Sequence, residues 1–239
     1  NVKSLKNYGY KFIGPEKGEM ACGEYGEGKM SSPRQIYSEI KHYFYNQKIL
    51  MQKKLTALVT AGPTREYLDP VRYISNESSG KQGVAIANAL SRVGIKTKLV
   101  LGPSNSQVDK GIKVIKVTSG IEMLNAVKRS LPVDIAVCAA AVSDVKPLNK
   151  HNDKLKKSYN QLNNLKLNKN SDILEYLGKT NKGKPKLIVG FSAETKDLIK
   201  NSKKKIREKY CDIIIANDVS RRDIGFNSDY NEVHIIDNK

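Results

Sequence analysis

The residues best equipped for chemistry lie in one run, Thr60 to Ser79 (TAGPTREYLDPVRYISNESS), continued by Gly80-Lys81-Gln82-Gly83. Arg65, Arg72 and Lys81 bring positive charge, and Asn76 brings an amide that donates and accepts without adding charge. Gly62, Gly80 and Gly83 let the backbone approach a bound group. Such a set suits a site that gathers an anionic substrate and also does chemistry on it. Arg72 can meet a phosphate or carboxylate with two parallel hydrogen bonds; the bland alternative is a surface ion pair. Asn76, just before Ser78-Ser79-Gly80, also fits a turn. Lys81 reads as a phosphate contact or as a solvated lysine.

The elements around the run explain how it would be held. Leu55–Thr60 reads as a buried strand, and Gly83–Val93 as a helix with small residues facing it. Strand, Gly-rich loop and helix is how an α/β sheet builds an anion site, with helix N–H groups aimed at the ligand. The rhythm continues as strands 97–101, 113–117, 134–140, 186–191, 212–217 and 232–237. Helices are expected at 121–130, capped by Ser119, at 172–179 with Ser171 near its start, and at 195–209. Continuous apolar strands alternating with amphipathic helices predict a three-layer, Rossmann-like, mostly parallel sheet covered on both faces. The Lys- and Asn-rich segment 145–169 breaks the rhythm and reads as a loop plus a projecting hairpin arm, with Leu162, Leu165 and Leu167 suggesting a short strand. Residues 1 to about 47 are turn-rich, then helical from Pro33, with Ile36, Ile40 and Phe44 on one face and no core strand.

Composition narrows the class. The chain has 239 residues and a net charge of +18. The lysines are scattered and no aromatic-interleaved RNA module is visible, so the charge reads as composition bias and small-polyanion binding rather than a nucleic-acid partner. Three cysteines, Cys22, Cys138 and Cys211, fit no disulfide framework and point to a reducing, cytoplasmic setting. No apolar stretch is long enough to span a membrane, and no signal peptide opens the chain. No His/Cys cluster has zinc-ligand spacing. A nicotinamide- or flavin-binding oxidoreductase on a similar sheet is the first rival reading, but no G-x-G-x-x-G follows the first strand. A basic nucleic-acid binder is the second rival.

The ordered set GPTREYLDPVRYISNESSGKQG, CAAAVSDVKP, KLKK, NSDI, GFSAET, AND and GFNSD resembles phosphopantothenate–cysteine ligase, the synthetase half of a bifunctional coenzyme A biosynthesis protein. The upstream GPEKGEMACGEYGEGKMSSP resembles the last part of the flavoprotein decarboxylase half. The resemblance therefore divides the chain into a decarboxylase remnant with linker, 1–50, and a ligase domain, 51–239. It implies CTP, 4′-phosphopantothenate and L-cysteine as substrates, Mg²⁺ as the accompanying ion, and a homodimer with arms crossing the interface. FMN, and association with a decarboxylase half, belong to the decarboxylase body, which this chain lacks; decarboxylation by the chain alone is not expected.

The resemblance also implies residue roles. Asn76 holds the acyl-cytidylate, with Arg72, Gly80 and Lys81 beside it on the substrate. Gly62, Cys138, Ala139, Ala140 and Asp144 contribute to the CTP site, Asp144 accepting from the cytosine amino group; Cys138 itself reads as inert core rather than a nucleophile. Lys154 acts on phosphate charge from a loop that can close over the triphosphate. Ser171, Asp172, Ile173 and Leu174 offer N–H groups at a helix start, although the family commonly has Pro at position 171. Phe191 packs on the nucleotide, and Lys205 and Lys209, four apart on one helical face, contact it. Cys22 matches the decarboxylase proton donor. The metal ligands are not readable, and Asn217-Asp218 are given no chemistry beyond loop structure.

Overall fold

A computed structural model describes residues 2–19, 25–50, 55–156, 164–220 and 231–237, of which 44–50 are described by their backbone alone. The chain divides into two units, Asn1–Lys53 and Lys54–Lys239. The first contains α1 (Val2–Asn7), the antiparallel pair β1 (Glu16–Glu19) and β2 (Tyr25–Lys29), and α2 (Pro33–Leu50). Pro33 stands at the first position of α2, where its missing N–H costs nothing, and the Ser32 hydroxyl accepts from Gln35 N–H at 3.3 Å. Sequence reading anticipated α2 but neither α1 nor the hairpin. EKGE and YGEGK carry no apolar alternation, and Gly18 is the buried residue among their described positions. Of the predicted helical face, Ile36 is half-buried, Ile40 is exposed, and the Phe44 side chain lies outside the described residues. Cys22 lies outside them as well.

The second unit is built on a seven-stranded sheet. In chain order its elements begin β3 (Thr56–Ala61), the small hairpin β4 (Arg65–Tyr67) and β5 (Tyr73–Ser75), α3 (Lys81–Arg92), β6 (Lys96–Leu101), β7 (Lys113–Lys116), α4 (Gly120–Ser130) and β8 (Ile135–Cys138). There follow β9 (Val145–Pro147), β10 (Leu167–Lys169), α5 (Ile173–Lys179), β11 (Leu187–Glu194), α6 (Leu198–Lys209), β12 (Ile213–Asp218) and β13 (Val233–Asp237). The sheet order is β13-β12-β11-β8-β3-β6-β7, parallel except for β13. This is a doubly wound sheet with an antiparallel edge, as the apolar strand runs predicted.

Alternate residues of β3 feed opposite faces. Leu58 joins Met123, Val127, Leu177 and Ile206 beneath α4, α5 and α6, whereas Val59 joins Val84 and Ala87 of α3 on the other side. The helices are thus unevenly shared. Between β6 and β7 the chain forms a loop instead of a helix, and its Val108 and Ile112 pack beside α3. The predicted cap of α4 is present as a full capping box: Ser119 accepts from Glu122 N–H, and Glu122 Oε2 accepts from Ser119 N–H. The arm is present too, β9 pairing antiparallel with β10. Its short strand falls at 167–169, and Leu162 lies outside the described residues.

Candidate functional site

The strand order reverses between β3 and β8, so the loops leaving their C-terminal ends part around a crevice where open α/β sheets place ligands. The loop after β3 contains the β4–β5 hairpin, which sequence reading did not resolve, and the loop after β8 is Ala139–Asp144. Backbone bonds join the two loops. Ala141 N–H donates to Gly62 O at 3.0 Å, and Thr64 N–H donates to Ala141 O at 3.3 Å. Asn76 Nδ2 donates to Val142 O at 3.0 Å, which fixes its amide on the wall shared by both loops. Asp144 is set by a second network: Asn170 N–H donates to Asp144 O at 2.7 Å, while Asn170 Nδ2 and Gly120 N–H both donate to the buried Glu66 Oε1, at 3.0 and 2.8 Å.

Two glycines show why this loop needs them. Gly80, the N-cap of α3, has φ 77°, a left-handed conformation that side chains disfavour. A Cβ on Gly83 would lie 2.6 Å from Ala61 Cβ, so only glycine lets α3 sit this close to β3.

The result is a cleft of about 1090 Å³ lined by Asn76, Gly80, Lys81, Ala139, Ala140, Asp144, Phe191 and Lys205, among others. Phe191, in the second half of β11 rather than at the strand end read from the sequence, packs on the apolar cluster of α3 and lines the cleft. Lys205 crosses from α6, its Nζ donating to Phe191 O at 2.8 Å. Asn217 lines the cleft as well, with its Oδ1 buried and without a hydrogen-bond partner. Sequence reading gave Asn217 no chemistry; the structure places it on the cleft wall near the end of β12.

Other expected site residues are not brought to this cleft. Gly62 shapes the loop floor at φ 79°. Cys138 ends β8 against the apolar core, and burial pushes its thiol up to about 12, which suits an inert core residue. Ile173 and Leu174 are buried core residues of α5, and Ser171 is exposed beside them. Asp172 caps α5 by accepting from Glu175 N–H at 2.9 Å. Lys209 departs from Lys205: its Nζ lies 2.9 Å from Glu175 Oε2 and 3.1 Å from Asp172 Oδ2. Arg72 is engaged by Asp69 and by Leu155 O, and Lys154 is exposed on the loop beyond β9.

Among the described residues, the carboxylates lining the cleft are Glu77 and Asp144. Among the described residues no three or more His, Cys, Asp or Glu side chains gather to hold a metal ion. Nor is any described helix long and apolar enough to cross a membrane.

Fold and cleft together define a doubly wound α/β domain with a polar, cation-bearing cleft at its topological switch point. Residues 52–239 match the model of the DNA/pantothenate metabolism flavoprotein C-terminal domain, and the chain belongs to that family. It is 39% identical over 240 residues to the coenzyme A biosynthesis bifunctional protein CoaBC of Borreliella burgdorferi, covering 99% of this chain and 59% of that protein. To the CoaBC of Vibrio cholerae it is 41% identical over 238 residues, with the same shares covered. The chain thus spans well under two thirds of the length of these relatives. A crystal structure of the C-terminal domain of a CoaBC superposes with TM-score 0.63 at 34% identity, over 78% of this chain and 85% of that one.

Proposed function

We propose that the chain performs CTP-dependent ligation of 4′-phosphopantothenate to L-cysteine, a step of coenzyme A biosynthesis, through an acyl-cytidylate. The observation that carries the proposal is the cleft at the β3/β8 switch point. It joins an anchored amide, Asn76, to cations and small residues in a volume sufficient for two substrates side by side. In the first step a carboxylate oxygen of phosphopantothenate attacks the α-phosphorus of CTP and pyrophosphate leaves. In the second, the cysteine amine attacks the acyl carbon, CMP leaves and the amine gives up a proton. Asn76 steadies the mixed anhydride by donating and accepting hydrogen bonds. Ala139 and Ala140 leave room for nucleotide against the backbone, Phe191 packs on it, and Asp144 accepts from the cytosine amino group. Lys205 and Lys154 offset phosphate charge, while the α3 N-terminus with Gly80 and Lys81 faces the anionic substrate.

A magnesium ion fits this cleft as a companion of the triphosphate, since Glu77 and Asp144 offer carboxylate oxygens, no three-ligand cage gathers among the described residues, and magnesium takes few protein ligands. Bound, it would supply charge neutralisation on the phosphates. FMN and Cys22 play no part in this ligation; they belong to the decarboxylase half, of which residues 1–50 are the proposed remnant. The chain is further proposed to pair with a second copy through its arm region, where Val71 (58% exposed), Tyr73, Leu148 and Leu167 leave apolar surface open on the two small hairpins.

Pyrophosphate release tests the reading, measured with 4′-phosphopantothenate, Mg²⁺ and CTP or ATP, with and without cysteine. CTP-specific release is expected, with CMP and amide formed only when cysteine is added, and Asn76→Ala should lose amide formation by about a hundredfold or more. Folded wild-type protein that releases no pyrophosphate with either nucleotide would overturn it.

A further inference from the structure

One buried carboxylate lies outside the cleft and is bonded more heavily than a turn requires. Asp69 is 0% exposed. Its Oδ1 accepts from the N–H groups of Val71 and Arg72, each at 2.8 Å, which is ordinary turn bonding. Its Oδ2 accepts from Arg72 Nε at 2.9 Å, from Arg72 Nη2, and from Leu155 N–H at 3.1 Å. Arg72 Nη2 also donates to Leu155 O at 2.6 Å. Leu155 is therefore held at both its N–H and its C=O by one ion pair 86 and 83 positions earlier in the chain. A further bond, His151 N–H to Leu68 O at 2.9 Å, runs parallel to these.

The physical logic is that of a clasp. Burial alone would drive the Asp69 carboxyl up, yet the backbone and Arg72 hydrogen bonds hold it well below the usual carboxylate range, so the group stays ionised. A buried charge of this kind is tolerable only while every partner stays in place, and removing one leaves an uncompensated charge. The partners include the backbone of Leu155, whose neighbours Lys154 and Lys156 are exposed. The Leu155 side chain is buried, so the loop is pinned by packing as well as by the ion pair.

We propose that Asp69 is a positioning residue for the ligation, acting with Arg72 to clasp Leu155 and thereby set the place of Lys154. The inference rests on the ligase reading, which gives Lys154 a part on the nucleotide phosphates; Lys154 itself is exposed outside the cleft, so the clasp fixes the point of the loop from which it reaches the nucleotide. It also changes the part given to Arg72: its Nε and Nη2 are committed to the clasp, so it serves the reaction through the loop.

The test is a double-mutant cycle on the full chain with Asp69→Asn and Lys154→Ala, read as pyrophosphate release against CTP concentration. Amide hydrogen exchange around Leu155 is followed in parallel. Asp69→Asn is expected to lower kcat/KM for CTP by about tenfold or more. In a Lys154→Ala background it should change kcat/KM less than about twofold, because a residue that acts through another adds nothing once that one is gone. Exchange at 151–156 should quicken while β3 and β8 keep their protection. Arg72→Lys, which keeps the balancing charge but loses the fork, should repeat the pattern and stands in if Asp69→Asn does not fold. Losses that multiply in the double variant overturn the positioning role, and unchanged exchange at Leu155 overturns the clasp. A wild-type chain without pyrophosphate release removes the ligase reading and the positioning role with it, whereas faster exchange in Asp69→Asn would still show the clasp.

Discussion

At the scale of single residues, the cleft depends on what is missing as much as on what is present. Gly83 is required because α3 begins so close to β3 that a methyl group would press on Ala61 at 2.6 Å and on Ala139 at 3.2 Å. Gly83→Ala is expected to destabilise the fold by about 1–3 kcal/mol, the usual cost of overpacking, read as a lower urea midpoint at unchanged slope. It should also raise the KM for the anionic substrate, since Ala139 and the α3 N-terminus form adjoining walls. A midpoint unchanged from wild type would show that α3 can yield at no cost. Asn217 teaches the converse lesson. Its unpaired Oδ1 is recognisable only once β12 is seen to end at the cleft.

At the scale of elements, the strands are registered at the end of the sheet opposite the cleft. Asp134, just before β8, accepts from Thr56 N–H and Thr56 Oγ1, both at 2.9 Å, and from Lys186 Nζ at 2.9 Å. It thereby ties together the starts of β3, β8 and β11. The hydrogen bond from Lys186, followed by those from Thr56, lowers its carboxyl from an ordinary 3.8 to about 2. A carboxyl depressed in the folded state contributes stability that is present above its unfolded value and lost as pH falls through the folded one. Stability should therefore drop between about pH 4 and pH 2, and Asp134→Asn should flatten that limb of the denaturation midpoint against pH. An acid limb of equal steepness in the variant would assign the loss to other carboxylates.

At the scale of the whole molecule, the apolar surface of the two small hairpins has no covering element among the described residues of its own unit. Leu148 and Leu167 are 47% and 46% exposed, and both belong to the arm region. If the arm is where copies pair, the Leu148→Glu/Leu167→Glu variant should run as a monomer in light scattering where the wild type runs as a dimer, with its thermal transition little changed. A wild type that is already monomeric at micromolar concentration would refute the pairing. The net charge of +18 acts at this scale too: on the proposed ligase reading it would draw anionic substrates toward the protein from a distance.

Local pattern determined the α/β class, most core strands, the cap of α4 and the hairpin arm, and it singled out the loop from Gly62 to Gly83 that lines much of the cleft. These depend on periodicity, glycine and capping chemistry among neighbours in the chain. The β1–β2 hairpin escaped because its residues are mostly exposed and carry no apolar alternation. Which side chains meet was decided by the tertiary structure alone. Lys205 and Lys209 share a helix face, yet one turn of α6 sends the first to Phe191 at the cleft and the second to Glu175 and Asp172 on α5. Arg72 reads in the chain as an anion contact or a surface ion pair, and only folding brings Leu155 within its reach and buries Asp69 between them. Sequence determines the inventory of charges and the local geometry, but contacts across more than eighty residues exist only once the sheet has ordered its strands, because loop closure and burial act on the whole chain at once.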